Sequence, residues 1–324
     1  MKRSEINKAL KELEVMCEKY HCYLPPCCHF TPGEYTIHNE YLTVKIHEKG
    51  ATLWSIKDRA GTEYLWQGNP KYWADRAPNI FPYVARLTGG KYILQDKTYK
   101  MDIHGFAKDI LFEAEQVSES HIVFSISDTT ETYKQYPYKF RFWVDYQLEE
   151  NKLLITYIIR NEDDKIMYFG LGGHPGFNVP FEENTVFEDY YLEFDAVHQV
   201  EQVELSDEKF VTGVFKTFPL DQGMSLHLRH GLFKDGAIVL RNMAHCVTLK
   251  TELSQKEIRV EYPDMAYLGI WHVPNMNAPY ICIEPWSSLP SRQGIVEDLE
   301  TQPGLISLTS KCEYHNQFSI QINV

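Results

Sequence analysis

An all-β chain folded as one large antiparallel β-sandwich is what three features of this sequence predict. More than a dozen short segments alternate apolar and polar residues with a period of two. Turn residues, not helices, separate them, which points to sheets packed face to face. Aromatic residues make up 14% of the chain, including 21 Tyr and 6 Trp. That content suits pleated surfaces and an aromatic-lined cleft.

Taken in order, residues 4–20 are the exception. Ile6, Leu10, Leu13 and Cys17 recur at helical spacing, Ser4 can cap the segment, and Pro25-Pro26 forbids its continuation. This predicts a helical extension over residues 1–34, packed on a β body spanning 35–324 or on a second subunit. A homodimer is therefore one expectation for the assembly. From Tyr35 the period changes to two. Leu42, Val44 and Ile46 form one alternating set. Residues 51–56 and 63–66 read as a hairpin around the turn 57–62. Further strands are expected at 91–94, 98–101, 110–117, 121–127, 138–149, 152–161, 165–171, 190–194, 237–240, 246–250, 257–262, 267–272, 280–284 and 318–324. The pair 140–148 and 152–160, joined by Glu149-Glu150-Asn151, is an antiparallel hairpin.

Composition narrows the function. The 324 residues, 44% of them hydrophobic, can bury a sizeable core. A net charge of −13 argues against a nucleic-acid partner. No apolar run approaches the roughly 18 residues of a membrane span, and no apolar stretch follows Met1-Lys2-Arg3 as in a signal peptide. Seven cysteines, an odd number, suit a reduced cytoplasmic protein. Cys17, Cys22, Cys27 and Cys28 crowd the N-terminus beside His21 and His29, but their intervals do not match a zinc ribbon, so no metal is expected.

Four places break the β rhythm. In the stretch from Tyr280 to Trp286, alternation puts Tyr280, Cys282 and Glu284 on one face, and Pro285 is expected to end regular pairing. Glu284 then sits at a strand end beside an indole, where a carboxylate is either satisfied by a structural donor or kept as a base. His104 lies in Asp102-Ile103-His104-Gly105-Phe106, and His174 in Gly173-His174-Pro175-Gly176-Phe177. Each imidazole is either bonded into a structural turn or presented to a ligand. Arg86 closes an apolar, Pro-bounded run that begins at Pro78, and its cation needs an acceptor. One base, two histidines and one arginine suit proton transfer on a polar substrate. The sequence has no Gly-x-Ser-x-Gly elbow and no phosphate-cradling glycine loop before a helix. Glu284 has no obvious second carboxylate such as glycoside hydrolysis needs.

These motifs, NIFPYVARL, HGFAKD, GGHPGF, YLGIW and CIEPW, resemble those of the aldose 1-epimerase (galactose mutarotase) family, and most closely its LacX-type branch. The resemblance runs from about Tyr35 to Val324. It implies a galactose mutarotase-like supersandwich that interconverts sugar anomers without a cofactor, with a small-molecule sugar as partner. It further implies Glu284 as general base, His174 as general acid and His104 as a hydrogen-bonding partner of the reacting oxygens. Arg86 and Asp235 would bind sugar hydroxyls. Trp286 and Phe177, with Trp73 and Tyr83, would offer apolar platforms. Ala85 stands where a glycine often precedes the arginine. Alternatives on the same scaffold are a hexose-6-phosphate 1-epimerase, with Arg59, Arg76, Lys108 and Arg292 as available cations, and a non-catalytic carbohydrate-binding module.

Overall fold

A computed structural model describes residues 33–195 and 199–324. The expected N-terminal helix and its four cysteines lie outside the described residues. Two large sheets carry the architecture. The nine-stranded sheet runs in the order Ser225–His227, Tyr190–Phe194, Cys246–Thr251, Glu257–Glu261, Glu313–Asn323, Lys152–Asn161, Phe140–Glu149, His121–Ser127 and Glu113–Ser118. The eight-stranded sheet runs Val211–Thr217, Glu201–Leu205, Ile238–Arg241, Tyr267–Trp271, Tyr280–Trp286, Gly172–Gly173 and Asn79–Ile80, with Gly176–Asn178 also paired to Tyr280–Trp286. The ladders in both sheets are antiparallel.

The alternation that predicted the strands also builds the core. Phe140, Phe142, Val144, Tyr146 and Leu148 turn inward from one strand of the central hairpin. Leu153, Ile155, Tyr157 and Ile159 do so from the other. They share one apolar cluster with Phe177, Ile281 and Ile283 of the eight-stranded sheet. Asn79 is a buried polar node of this core: its amide donates to Gly50 O and Ala51 O, and its carbonyl accepts from the Tyr157 hydroxyl at 2.7 Å. A buried amide satisfied on both ends fixes the loop that leads to Arg86.

Three expectations are corrected. The strand Thr52–Asp58 forms its ladder with Leu42–His47; residues 63–66 turn back on it with a single antiparallel bridge, Lys57–Glu63, and the Glu63 carboxylate accepting from Ser55 and from Ile56 N–H. Hydrophobic alternation identifies a strand but not its partner. Pairing along Tyr280–Trp286 does not stop at Pro285: Leu268 opposes Pro285 and Tyr267 opposes Trp286. Proline removes one donor and leaves its carbonyl. A short α-helix at Thr130–Gln135, capped by Thr129, was not expected. Among the described residues, no helix is long and apolar enough to cross a membrane.

Candidate active site

Strand register brings the two main candidates together. Gly172 opposes Trp286 and Gly176 opposes Cys282. Carried through the intervening residues, that register sets His174 opposite Glu284. The chain leaves regular pairing there, with Ile283 N–H donating to Pro175 O and His174 N–H to Pro78 O. The result is a His174 Nε2 to Glu284 Oε2 separation of 3.2 Å, with both residues almost fully buried. On its other side Glu284 opposes Gly269, which has no side chain to crowd it. A close approach also explains Gly172: a Cβ there would meet Pro285 O at 2.6 Å and the Trp286 ring at 2.8 Å.

Burial governs the electrostatics of this pair. It drives the Glu284 carboxyl well above the usual carboxylate range, and the nearby Trp286 indole pulls the other way. The indole Nε1 is itself buried without completing a hydrogen bond. Burial likewise lowers His174 from 6.5 to about 4. A resting imidazolium near 6.5, the simple expectation for a histidine, is therefore not what this environment favours. The pair instead holds one proton between its two members, because burial penalises charge on each.

His174 sits in an aromatic box. Trp73 stacks on it at 4.9 Å between ring centroids. The rings of His104 and Trp271 meet it edge-on at 5.3 Å and 5.7 Å. His104 occupies a left-handed conformation with φ 64° in the loop that docks on Phe81 through the N–H groups of Phe106 and Ala107. Burial, then the neighbouring His174, Lys108 and Arg86, push its pKa well below 6.5, so it is a neutral donor or acceptor at physiological pH.

These groups open into a cavity of about 430 Å³. Of the residues singled out in the sequence, His104, His174, Glu284, Arg86, Trp286 and Trp73 line it. Three of the sequence-predicted residues do not. Phe177 is fully buried in the main core, where its strand turns it away from the cavity, and Tyr83 is likewise buried in the core. Asp235 points outward, its side chain 86% exposed and near Lys234, while its neighbours Gly236 and Ala237 form cavity wall. Trp271, Lys209 and Asp75 also line the cavity, and sequence reasoning had not singled them out. For Trp271 a signal existed in the YLGIW motif. Lys209 and Asp75 stand in ordinary polar turns.

Of the four cations considered for a phosphate, only Lys108 reaches the cavity. Arg76 stacks on Trp54 and bonds Gln67. Arg292 pairs with Glu297, and Arg59 is exposed in the turn after Thr52–Asp58.

Comparison with known proteins places this geometry in context. Residues 33–301 match the family model described as aldose 1-epimerase. The chromosomal and plasmid forms of protein LacX from Lactococcus lactis subsp. lactis are each 35% identical over 288 residues. The alignment covers 85% of this chain and 96% of each relative. A galactose mutarotase related enzyme from Lactobacillus acidophilus superposes with a TM-score of 0.86 at 33% identity, covering 90% of this chain and 97% of that one. A galactose mutarotase-like protein from Lactobacillus casei gives 0.85 at 30% identity, covering 90% and 100%. With a family model matched over most of its length and such relatives covered almost end to end, the chain belongs to the aldose 1-epimerase family.

Proposed function

We propose that this chain is an aldose 1-epimerase that interconverts the α and β anomers of a hexose by acid–base ring opening and closure. The observation that carries the reading is the 3.2 Å separation of His174 Nε2 and Glu284 Oε2 at the wall of the cavity. In a cyclic aldose the hydroxyl oxygen and the ring oxygen are both bonded to C1. A base and an acid serving them must therefore stand side by side.

Glu284 takes the proton of the C1 hydroxyl as His174 delivers one to the ring oxygen. The C1–O5 bond breaks and the open-chain aldehyde forms. Rotation about C1–C2 exposes the other carbonyl face, and closure returns both protons. The pair carries one proton throughout, on His174 before opening and on Glu284 after it. The total charge in the site never changes, which suits so buried a pair. Burial favours the neutral His174 with a protonated Glu284, the distribution needed while the aldehyde is open. Acid and base each contribute on the order of 10²–10⁴-fold. His104 stands ready to bond one of the reacting oxygens, and Trp286 offers an apolar face. Arg86, on the cavity wall, can hold a further sugar oxygen. The buried free thiols of Cys246 and Cys282 suit a reducing, cytoplasmic setting.

The test is saturation-transfer NMR or polarimetry on freshly dissolved α-D-glucose and α-D-galactose, with wild type beside His174→Asn. Acceleration by wild type alone is expected. Equal acceleration by both removes His174 from the acid role. No acceleration of any neutral or charged hexose would favour a sugar-binding module on this fold.

A further inference from the structure

We propose that this cavity takes a sugar bearing an anionic substituent away from C1, held by Lys209, Lys108 and Arg86. The proposal rests on the epimerase reading above and adds the substrate class. Three separate segments deliver these cations to one cavity. Arg86 comes from the loop after Asn79–Ile80, and Lys108 from the turn Ala107–Asp109 that follows His104. Lys209 comes from the turn between Glu201–Leu205 and Val211–Thr217. The chain as a whole carries −13, so a cavity with three cations against Asp75 and Glu284 runs counter to its surroundings. Glu284 is engaged with His174 and does not neutralise the rim.

The partners of these cations sharpen the point. Several half-buried basic side chains elsewhere are matched: Arg292 to Glu297, Arg241 to Glu201, Arg259 to Asp195 and Glu261. Among the described residues, no carboxylate pairs with Arg86 or Lys209. Lys108 does bond Asp109, but that carboxylate also reaches Lys49 at 3.5 Å, so one negative charge serves two lysines. Lys209 is moreover positioned. It holds a left-handed φ of 70°, and its side chain lies over Gly236, where a Cβ would stand 3.0 Å from Lys209 Cε. A packed stem narrows the volume its ammonium explores and aims it along the wall formed by Gly236 and Ala237. Neutral hydroxyls do not require three cations, two of them without a carboxylate partner; a phosphate or carboxylate group matches them.

Both anions share this chemistry, and the experiment separates them. Anomer exchange is measured by NMR for D-galactose, D-galacturonate and D-galactose 6-phosphate, with wild type, Lys209→Gln and Lys108→Gln, each checked for an unchanged melting temperature. The expected result is a kcat/KM at least tenfold higher for one of the charged sugars than for galactose. That ratio should fall about tenfold in either lysine variant and shrink at high salt. Preference for the 6-phosphate assigns a phosphate ester, and preference for galacturonate a carboxylate. Equal rates on all three sugars overturn the anion site while leaving the epimerase reading intact. A charged-sugar preference that both lysine variants retain overturns it as well. Exchange of none of the three overturns both.

Discussion

Ala85 and His104 are bonded to each other twice: His104 N–H donates to Ala85 O at 3.0 Å, and Ala85 N–H donates to His104 Nδ1 at 3.2 Å. The second bond settles the tautomer. A ring nitrogen that accepts carries no proton, so the neutral imidazole bears its hydrogen on Nε2. His104 therefore works as a hydrogen-bond donor through Nε2. Both residues hold left-handed backbone, φ 56° and 64°, and the paired bonds hold that conformation in place.

The tautomer makes a prediction for His104→Asn. Asparagine tolerates left-handed backbone better than most residues, so the loop should persist. The Nε2–H donor is lost, and with it about 10–100-fold in kcat/KM for anomer exchange. Thermal melting beside activity checks this. A variant that melts many degrees lower yet keeps its activity per folded molecule would show that His104 only supports the loop.

Gly105 sets the position of that loop by a different rule. Its φ is +71°, and a Cβ would lie 2.2 Å from Phe81 O and 2.7 Å from Pro82 N, both backbone atoms that cannot swing aside. Gly105→Ala should destabilise the fold by about 3 kcal/mol or more, from left-handed strain plus overpacking. Gly89→Ala is the control: φ is +62°, but nothing stands within 4 Å. Strain alone should cost it about 1–2 kcal/mol. Urea midpoints of the two variants measure the difference.

How much of this was readable from the chain depends on the range of each interaction. Strands such as His121–Ser127 and Lys152–Asn161 follow from local alternation and have the bounds the sequence predicts. Glu284 and His174 were legible because each breaks a local rule, a carboxylate in an apolar strand and a histidine crowded by Gly and Pro. Their juxtaposition was not legible, since it depends on the pairing of Gly172 with Trp286 and Gly176 with Cys282 across more than a hundred residues. Lys209 was missed for the same reason: in sequence it is one more polar turn residue. Phe177 misled because it lies only three residues from His174 and next to Gly176 on the cavity-side register. One step along a strand reverses the face, and Phe177 falls into the core.

His272 predicts a pH effect on stability. It is fully buried against Phe187, Phe233 and Tyr280, its Nδ1–H donates to Val273 O at 2.7 Å, and its Nε2 meets His230 Nδ1 at 3.1 Å. Burial lowers its pKa from 6.5 to about 4. A base with a depressed folded pKa contributes stability that is fully present above 6.5 and is lost as pH falls from 6.5 towards 4. Wild type should therefore lose more stability than His272→Gln between pH 7.5 and 5. After solvent screening at His230 the difference is on the order of 1 kcal/mol. Parallel urea titrations at the two pH values check this. Identical losses would mean that His272 takes up its proton as readily in the fold as in the unfolded chain.

Glu284→Gln separates chemistry from stability. The amide keeps the size of the side chain and cannot accept the C1 proton, so anomer exchange should fall on the order of 10³-fold. Stability should respond in the opposite sense and with its own pH signature. An acid whose folded pKa is raised contributes stability that is present below the unfolded value of about 4.5 and is lost as pH rises through the folded pKa. Wild type should thus weaken on going from pH 6 to pH 9 relative to Glu284→Gln, which has no charge to bury. Urea unfolding at both pH values, with exchange rates per folded molecule, reads both effects in one preparation. A variant that unfolds at every pH, with its remaining folded fraction fully active, would make Glu284 a structural carboxylate. The base would then have to be sought elsewhere in the cavity, with Asp75 the other carboxylate on its wall.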